Sequence, residues 1–349
     1  MCLKRIFHPY IPTKLMNSTI NDQRMTSATR AIYLKNSKAI PGLIGCCLIF
    51  SNIHADAVIL YGAGNDANLT PPASGAPFDA VARVQSSPGA QNGGSGVHLG
   101  GGYMLTAAHI ANTEIASVTF DSVNFYSRDL SFSPVQIGGT ADMKIFRLSS
   151  VPTVGSAAIY TGTSEMSHGG TLIGWGRGRV EGSALNTNTV PLADGGTPLV
   201  KRWGTNDPTR TIDDFSILSF TFDAIETVLG NVGGNPNNNG TGDFEAAATP
   251  RDSGAGYFQQ IDGNWYLTGI ATFIIQQNTD NATYGNDVAW SGNSNGTLSA
   301  PVGTGDPNFY VRVSSYADEI LMVIPEPSSA LLAWLALSGL IMRRRRGAI

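Results

Sequence analysis

Three side chains, a histidine, an aspartate and a serine, stand in surroundings that suit chemistry. His109 ends the run MLTAAH, whose small residues would let the ring pack closely at a strand end and point into a cleft. Asp142 precedes the alternating run MKIFRL, which predicts a strand with the carboxylate at its rim. Ser253 lies in RDSGAG, a turn-like run in which a hydroxyl can stand beside backbone N–H donors. Each pattern is common alone, but together they suit a serine activated by an imidazole.

Other titratable side chains fit this chemistry less well. Asp121 and Asp129 are rivals to Asp142, but neither precedes a comparable strand. His98 and His168 are interpreted as structural histidines.

The elements that would position these side chains are short strands. Alternating or apolar runs recur along the chain, and clusters of Gly, Pro, Asn and Asp separate them. This pattern predicts an all-β sandwich or a pair of barrels. Only residues 314–324 look helical, with Ser314 or Ser315 as the N-cap.

Composition limits the classes of partner. The chain has 349 residues, of which 42% are hydrophobic and only 14% charged, and its net charge is -4. The apolar content is sufficient for a core, and the acidic balance makes nucleic acid an unexpected partner. Low charge with many glycines is typical of an exported, loop-rich β protein.

The N-terminal part has the pattern of a secretory signal peptide. Basic residues precede the apolar run IPGLIGCCLIF (40–50), and the small residues Ala55, Asp56 and Ala57 follow it. We expect signal peptidase to cut after Ala57, with Ala55 as an alternative. Because signal peptides have about 15–30 residues, Met25 is the expected start of translation. The alternative interpretation of the apolar run is a buried core helix.

Metal and disulfide chemistry are not expected in the mature chain. Cys2, Cys46 and Cys47 all precede the predicted cleavage site, so no thiol would remain. The exposed loop predicted at 230–243 lacks the fixed carboxylate spacing of a calcium site, which leaves calcium as an alternative that the spacing does not favour. The sequence therefore predicts no metal and no cofactor.

The C-terminus carries three features in order: Pro-Glu-Pro at 325–327, an apolar stretch at 329–342 and four arginines at 343–346. The apolar stretch is shorter than the ~20 residues of a comfortable membrane helix, and the arginines would stay in the cytoplasm. This ending resembles a PEP-CTERM sorting signal, which implies a bacterial envelope protein whose tail an exosortase-like enzyme recognises and cleaves. A plain C-terminal membrane anchor is the alternative.

LTAAHI, ADMKIFRL and PRDSGAG resemble the histidine, aspartate and nucleophile motifs of trypsin/chymotrypsin-like serine proteases. LIGWG, WYLTGIATF and PNFYVRVSSYADEI resemble further segments of that family, so that the resemblance runs from about residue 77 to 321. It implies two packed six-stranded antiparallel β-barrels, a short C-terminal helix and a site between the barrels. It also implies a triad in which His109 is the general base, Asp142 orients it and Ser253 is the nucleophile.

The resemblance divides the chain into three parts. Residues 1–57 form the N-terminal extension and signal peptide, and residues 323–349 form the sorting or anchor segment. The protease domain spans 58–322, with one barrel at about 75–165 and the other at about 166–322.

The same family implies an oxyanion hole made by the backbone N–H groups of Arg251 and Ser253. Arg251 stands where the family usually has glycine. The family's activation motif is not evident; in the family a new N-terminal amine pairs with the aspartate that matches Asp252. The amine of Val58, freed by signal cleavage, or a nearby cation could take that place.

Substrate contacts implied by the resemblance are Ala247, at the pocket floor, and Thr272, Phe273 and Ile274 along the cleft. Without a carboxylate at Ala247, preference for Lys or Arg is not expected, although Glu245 could intrude. The hypothesis is a preference for small or medium apolar residues.

The sequence thus predicts an exported serine endopeptidase that acts on proteins or peptides at the cell envelope or surface. Its other partners would be signal peptidase, an exosortase-like enzyme and the membrane. The alternatives are a catalytically inactive homologue that serves as a surface-binding module, and a structural envelope protein.

Overall fold

The computed structural model describes residues 55–56, 58–60, 67–88, 90, 93–111, 115–176, 189–191, 199–229, 242–249, 251–274, 287–289 and 307–325. The apolar run at 40–50, most of the predicted loop at 230–243 and the segment 326–349 lie outside these residues. Within the described residues, no helix has the length and apolar character needed to span a membrane.

Strands dominate the described residues, and they are short where glycine and turn residues interrupt the apolar runs. In chain order they are β1 (Ala55–Asp56), β2 (Ile59–Leu60), β3 (Val81–Gln85), β4 (Gly94–Gly100), β5 (Tyr103–Thr106), β6 (Ser117–Thr119), β7 (Phe125–Ser127), β8 (Val135–Gln136), β9 (Lys144–Arg147), β10 (Ala158–Ile159), β11 (Gly170–Gly174), β12 (Thr189–Pro191), β13 (Leu199–Val200), β14 (Arg202–Asn206), β15 (Pro208–Ile217), β16 (Phe220–Val228), β17 (Ala246–Ala247), β18 (Gly256–Ile261), β19 (Asn264–Ile274), β20 (Asp287–Ala289) and β21 (Pro307–Arg312). The α-helices are α1 (Ala108–Ala111) and α2 (Ala317–Val323), and 3₁₀ turns span Phe78–Ala80, Glu165–Ser167 and Val313–Tyr316.

The first sheet is antiparallel throughout and has the order β7-β6-β3-β4-β5-β9-β8. Its central strands β3 and β5 are buried along their whole length, as their apolar runs require. Because β5 and β9 pair, the residues that follow β5 and precede β9 meet at one end of the sheet. His109 and Asp142 occupy these two positions.

The second sheet has eight strands, with the order β14-β11-β18-β19-β21-β16-β15 and β10 added beside β19. The long hairpin of β15 and β16 forms one edge, and β18 and β19 form the hairpin that follows Ser253. β10 pairs with β19 in parallel.

The structure corrects the expectation of two six-stranded antiparallel barrels in two respects: the number of strands in each sheet, and the direction of β10, which runs parallel to β19. The hydrogen-bonded sheets have seven and eight strands, because short segments add to them: β8 at the edge of the first sheet and β10 beside β19 in the second. The arrangement is otherwise mostly antiparallel β with few helices, as the sequence predicts.

Short strand pairs tie the start of the described chain to the second half. β1 pairs with β13 in parallel, and β2 pairs with β17 in an antiparallel arrangement that joins Leu60 to Ala246 and Ile59 to Ala247. The remaining pair is β12 with β20.

The C-terminal helix is shorter than the sequence predicts. A 3₁₀ turn precedes it, so that α2 begins only at Ala317, and the Tyr316 N-cap makes no side-chain capping hydrogen bond. The hydroxyl of Ser314 donates instead to the buried carboxylate of Glu165, which also pairs with Arg312 at 2.9 Å. The Ser314 side chain, predicted as the helix N-cap, therefore bonds a distant carboxylate and does not cap the helix.

Candidate active site

His109 and Asp142 form a direct pair at the end of the first sheet. The His109 backbone N–H donates to Asp142 Oδ1 at 2.8 Å, and its ring Nδ1–H donates to Oδ2 at 2.7 Å. Ala107 and Ala108 are fully buried, which lets the short helix α1 turn the ring towards the carboxylate. Because Nδ1 carries the proton in this pair, Nε2 is left as the basic nitrogen.

The two side chains of this pair differ in their exposure to solvent. The Asp142 side chain is inaccessible to solvent, whereas the His109 side chain is 30% exposed. A buried carboxylate fixes the ring on one side, and the exposed part of the ring can meet another molecule.

Thr272, on β19, links the pair to the serine. Its hydroxyl donates to Asp142 Oδ2, and its carbonyl oxygen accepts the hydroxyl of Ser253 at 3.5 Å. Within the described residues Ser253 makes no hydrogen bond to His109, so its hydroxyl is turned towards Thr272. Thr272 therefore contacts both Asp142 and Ser253, and Asp142 in turn binds His109.

The turn that carries Ser253 is anchored to both sheets. Ser95, on β4, donates its N–H to the Ser253 carbonyl oxygen at 2.8 Å, and Gly254 donates its N–H to Ala271 at 2.7 Å. A Cβ on Gly254 would lie 2.0 Å from the Ser95 carbonyl oxygen, and its φ is +86°. A Cβ on Gly94 would lie 2.5 Å from the Ser253 carbonyl oxygen. Only glycine at both positions allows the two sheets to meet here.

The backbone around Ser253 offers a donor. Within the described residues the N–H of Ser253 has no acceptor, whereas the N–H groups of Asp252 and Gly254 are both bonded. Asp252 N–H bonds the Thr249 carbonyl oxygen at 2.9 Å, which closes a four-residue turn. Arg251, inside this turn, has a φ of +82°. The sequence showed that Arg251 stands where the resembled family usually has glycine, but it did not show that the Arg251 backbone is left-handed.

Asp252 lies under the turn and is completely buried. Its Oδ1 accepts the N–H of Gly176 at 2.7 Å, and its Oδ2 accepts the N–H of Thr249 at 2.8 Å and the Thr249 hydroxyl at 3.0 Å. Burial raises the pKa of Asp252 to about 6, against the lowering effect of these donors. No ion pair to Asp252 is found among the described residues.

Val58 supplies the remaining donor to Asp252. Its nitrogen lies 3.3 Å from Oδ2, and its φ is +48°. A β-branched residue at positive φ is a backbone outlier. The other partner considered from the sequence is a nearby cation, and no ion pair to Asp252 is found among the described residues. Of the two, only Val58 contacts Asp252.

The rival carboxylates and histidines have other partners. Asp121 accepts N–H groups from its own turn, at Val123 and Asn124, and Asp129 pairs with Arg147 at 2.6 Å. His98 is buried with Nδ1 3.0 Å from the Gly155 carbonyl oxygen, and burial lowers its pKa.

His168 is half-buried, and its carbonyl oxygen accepts the side-chain amide of Gln259. This bond ties His168 to β18 through its backbone.

The predicted substrate-binding residues are placed as follows. Ala247 is fully buried and opposes Ile59 across the β2–β17 pair, and Glu245 beside it is also fully buried. Phe273 and Ile274 continue β19 beyond Thr272. The structure describes only the backbone of Phe273 and Ile274.

Sequence reasoning missed two contacts of the site. Thr272 was expected to contact substrate, yet its hydroxyl bonds Asp142, from which it is separated by 130 residues. The bond of Gly176 to Asp252 was not expected either. The sequence signals for these contacts were the segments LIGWG, which contains Gly176, and WYLTGIATF, which contains Thr272. A local pattern does not specify which distant residues such segments contact.

Metal ligation finds no support in the described part of the chain, where no group of three His, Cys, Asp or Glu side chains is placed to hold an ion.

No protein-family model matches this sequence. No curated protein matches it either. Among solved structures, the chain is similar to neuropsin, a serine protease expressed in the limbic system of mouse brain. The sequence identity is 15%, the match covers 73% of this chain and 97% of that chain, and the TM-score is 0.44. The contacts within this chain therefore carry the functional proposal.

Proposed function

We propose that the chain is an exported serine endopeptidase that hydrolyses peptide bonds with Ser253, His109 and Asp142. The observation that carries this proposal is the buried Asp142 carboxylate, which binds His109 through Nδ1 and connects through Thr272 to the Ser253 hydroxyl. A buried acid that orients an imidazole, with a serine joined to them through one threonine, supplies the three groups that a catalytic triad requires.

The reaction begins with a rotation of the Ser253 side chain from Thr272 towards Nε2 of His109. His109 takes the hydroxyl proton while the oxygen attacks the substrate carbonyl carbon, and Asp142 stabilises the imidazolium that forms. The imidazolium then protonates the leaving amine. A water molecule, activated by the same imidazole, hydrolyses the acyl-serine ester and restores the serine.

The oxyanion of the tetrahedral intermediate would accept hydrogen bonds from the N–H groups of Ser253 and Arg251. The N–H of Ser253 has no acceptor within the described residues, which supports this role. One such donor is worth about 3 kcal/mol of transition-state stabilisation.

Processing of the N-terminus fits the position of Val58. Signal peptidase cleavage after Ala57 would turn the Val58 amide into an ammonium group 3.3 Å from the Asp252 carboxylate. Cleavage would also remove the φ torsion of Val58, and with it the strained value of +48°. The sorting signal at the C-terminus adds an exosortase-like enzyme and the membrane as partners, with release or display at the cell envelope.

A catalytically inactive surface-binding module is the second candidate. The Ser253 hydroxyl bonds Thr272 and not His109, and this observation favours a site that does not turn over. The two candidates differ in whether Ser253 reacts.

A fluorophosphonate probe separates them, because an activated serine attacks its phosphorus atom, displaces fluoride and becomes phosphonylated, whereas an unactivated serine does not. We expect the mature wild-type chain to be labelled, Ser253→Ala to lose labelling completely, and His109→Ala to label far more slowly. Ser150→Ala, at an exposed serine, is the matched control and should label like wild type. Absence of label on correctly folded wild-type protein would exclude the protease and favour the binding module.

A further inference from the structure

The segment that leads into Asp142 is a tight connection between β8 and β9, residues 137–141, called here the 137–141 connection. The Ile137 N–H donates to the Met143 carbonyl oxygen at 3.0 Å, which closes the connection where the two strands meet. Gly138, within it, has a φ of +65°. Because Asp142 follows directly, the position of its carboxylate depends on how the connection is held.

The C-terminal helix holds the start of this connection. The carboxylate of Glu319, on α2, accepts the Gly138 N–H at 2.8 Å, although 181 residues separate the two along the chain. Tyr316 lies so close to Gly138 that a Cβ on the glycine would clash with the tyrosine ring. A hydrogen bond from a backbone N–H to a carboxylate is shorter and stronger than one to a neutral acceptor. Glu319 is therefore suited to fix the position of the Gly138 peptide.

Strand β16 holds the other end of the connection. The Thr221 N–H donates to the Thr140 carbonyl oxygen at 3.1 Å, and the Thr140 hydroxyl donates to the Thr221 carbonyl oxygen at 3.0 Å. The two supporting elements are joined to each other, because the Asp223 N–H on β16 donates to the hydroxyl of Tyr316, directly before α2, at 3.0 Å. The 137–141 connection is thus supported by two elements that do not belong to the first sheet.

The hydrogen bonds between Asp142 and His109 require accurate placement of the carboxylate. One Asp142 oxygen accepts the His109 backbone N–H at 2.8 Å and the other accepts the Nδ1–H at 2.7 Å, so a shift or rotation of the carboxylate weakens at least one bond. Misplacement of a reacting group by about 1 Å can lower a rate about 100-fold. Strand β9, which pairs with β5, fixes the chain after Asp142. The 137–141 connection must fix the chain before it.

We propose that Glu319 is a positioning residue for the His109–Asp142 pair. Its carboxylate holds the Gly138 peptide, the 137–141 connection holds Asp142, and Asp142 orients the imidazole. The effect on catalysis rests on the proposed protease function, whereas the effect on the hydrogen bond between His109 and Asp142 does not. A merely structural role, in which Glu319 only anchors α2, would lower stability and leave that hydrogen bond unchanged.

The decisive comparison is between Glu319→Gln and Glu319→Met. Both variants lose the charge and keep the length of the side chain, but only glutamine retains an oxygen that accepts the Gly138 N–H well. We expect kcat for a peptide substrate to be about ten-fold lower than wild type in Glu319→Met, with KM within about two-fold, and to recover largely in Glu319→Gln. Asp318→Asn, which removes an exposed carboxylate from the same helix, is the matched control and should behave like wild type. Equal kcat values for the methionine and glutamine variants would overturn the proposal.

Proton NMR gives a second test that does not depend on turnover. The His109 Nδ1 proton, bonded to a carboxylate, should resonate far downfield, and its loss in Asp142→Asn assigns the signal. We expect Glu319→Met to move this resonance upfield and Glu319→Gln to leave it near the wild-type position. An unchanged resonance in folded Glu319→Met would count against the positioning role. Failure of the proposed protease function is separate, since it would show as absence of Ser253-dependent labelling in wild type.

Urea unfolding shows whether each variant folds. If Glu319→Met does not fold, Glu319→Asp takes its place, because the shorter side chain draws the carboxylate back from Gly138 by about one C–C bond length, roughly 1.5 Å. The same fall in kcat and the same upfield movement of the Nδ1 proton are expected for this variant. A folded Glu319→Asp with wild-type kcat and a wild-type resonance would contradict the proposal.

Discussion

Asp142 and Asp252 are both fully buried carboxylates, yet their surroundings differ. Asp142 lies directly before β9 of the first sheet, and Asp252 lies in the turn that carries Ser253. Asp142 accepts two hydrogen bonds from His109 and one from Thr272. Asp252 accepts only neutral donors, from Thr249, Gly176 and Val58. The first carboxylate is paired with a histidine, whereas no ion pair to the second is found in the part of the chain that the structure describes.

The two buried carboxylates therefore face different kinds of partner. The Asp142 carboxylate faces an imidazole ring, which would become positively charged in the proposed reaction. At Asp252 the charge is costly at rest, as its raised pKa shows, and a new N-terminal ammonium would offset that cost.

The largest effect is expected from Asp142→Asn. The asparagine amide would face Nδ1 of His109 and favour the tautomer with the proton on Nε2, so the ring could no longer accept the serine proton. In established Ser-His-Asp hydrolases the equivalent change lowers kcat about 10⁴-fold. Steady-state kinetics on a peptide substrate, with urea unfolding as the control for folding, measure this. A loss below about ten-fold would contradict the assigned role of Asp142.

The second effect concerns Asp252 and the pH dependence of stability. Its pKa is raised to about 6 in the folded chain from 3.8, so this group stabilises the fold below about pH 4 and that contribution is lost as the pH rises through about 6. In a chain that still carries residues before Val58, the loss should reach roughly 3 kcal/mol at pH 7. In a chain that begins at Val58, the ammonium group lowers the pKa of Asp252 and removes most of the loss.

Urea unfolding of the two chains between about pH 4 and pH 7 gives the measurement. Groups common to both chains cancel in the difference, which should widen up to about pH 7. Asp252→Asn in the uncleaved chain is the control and should abolish the fall. Parallel pH profiles for the two chains would rule out the pairing of Val58 with Asp252.

The smallest effect is expected at Thr272, which contacts Asp142 from the other sheet. Thr272→Val keeps the shape and removes the hydroxyl that bonds the carboxylate. A hydrogen bond to a charged group contributes about 1.5 kcal/mol, so kcat should fall about ten-fold. Thr272→Ser retains the hydroxyl and should recover most of the activity. If serine and valine behave alike, the methyl group and not the hydrogen bond is what matters.

Much of the candidate site could be anticipated from local sequence, because its motifs combine small residues, turn residues and alternating strands. MLTAAH, MKIFRL and RDSGAG locate His109, Asp142 and Ser253, and the strand pattern predicts a mostly antiparallel β fold. Each of these signals lies within a few residues of the side chain that it indicates.

The remaining features depend on distant contacts. The threonine hydroxyl that reaches Asp142, the buried nitrogen of Val58 and the capture of the Ser314 hydroxyl by Glu165 join segments more than 100 residues apart. The strand count differed from expectation because strands as short as two residues carry no periodicity that can be recognised. The torsion of Arg251 likewise follows from the bonds at the turn ends and not from its own preference.

Gly94, on β4, and Gly254, in the turn before β18, each lie so close to a backbone carbonyl oxygen of the other segment that neither tolerates a methyl group. A chimera that takes one half of this chain from a distant homologue would therefore fit only if the donor also has glycine at the matching position. Because each glycine meets a backbone carbonyl oxygen, which every residue carries, each half of such a chimera needs its own glycine whatever residue stands at the other position.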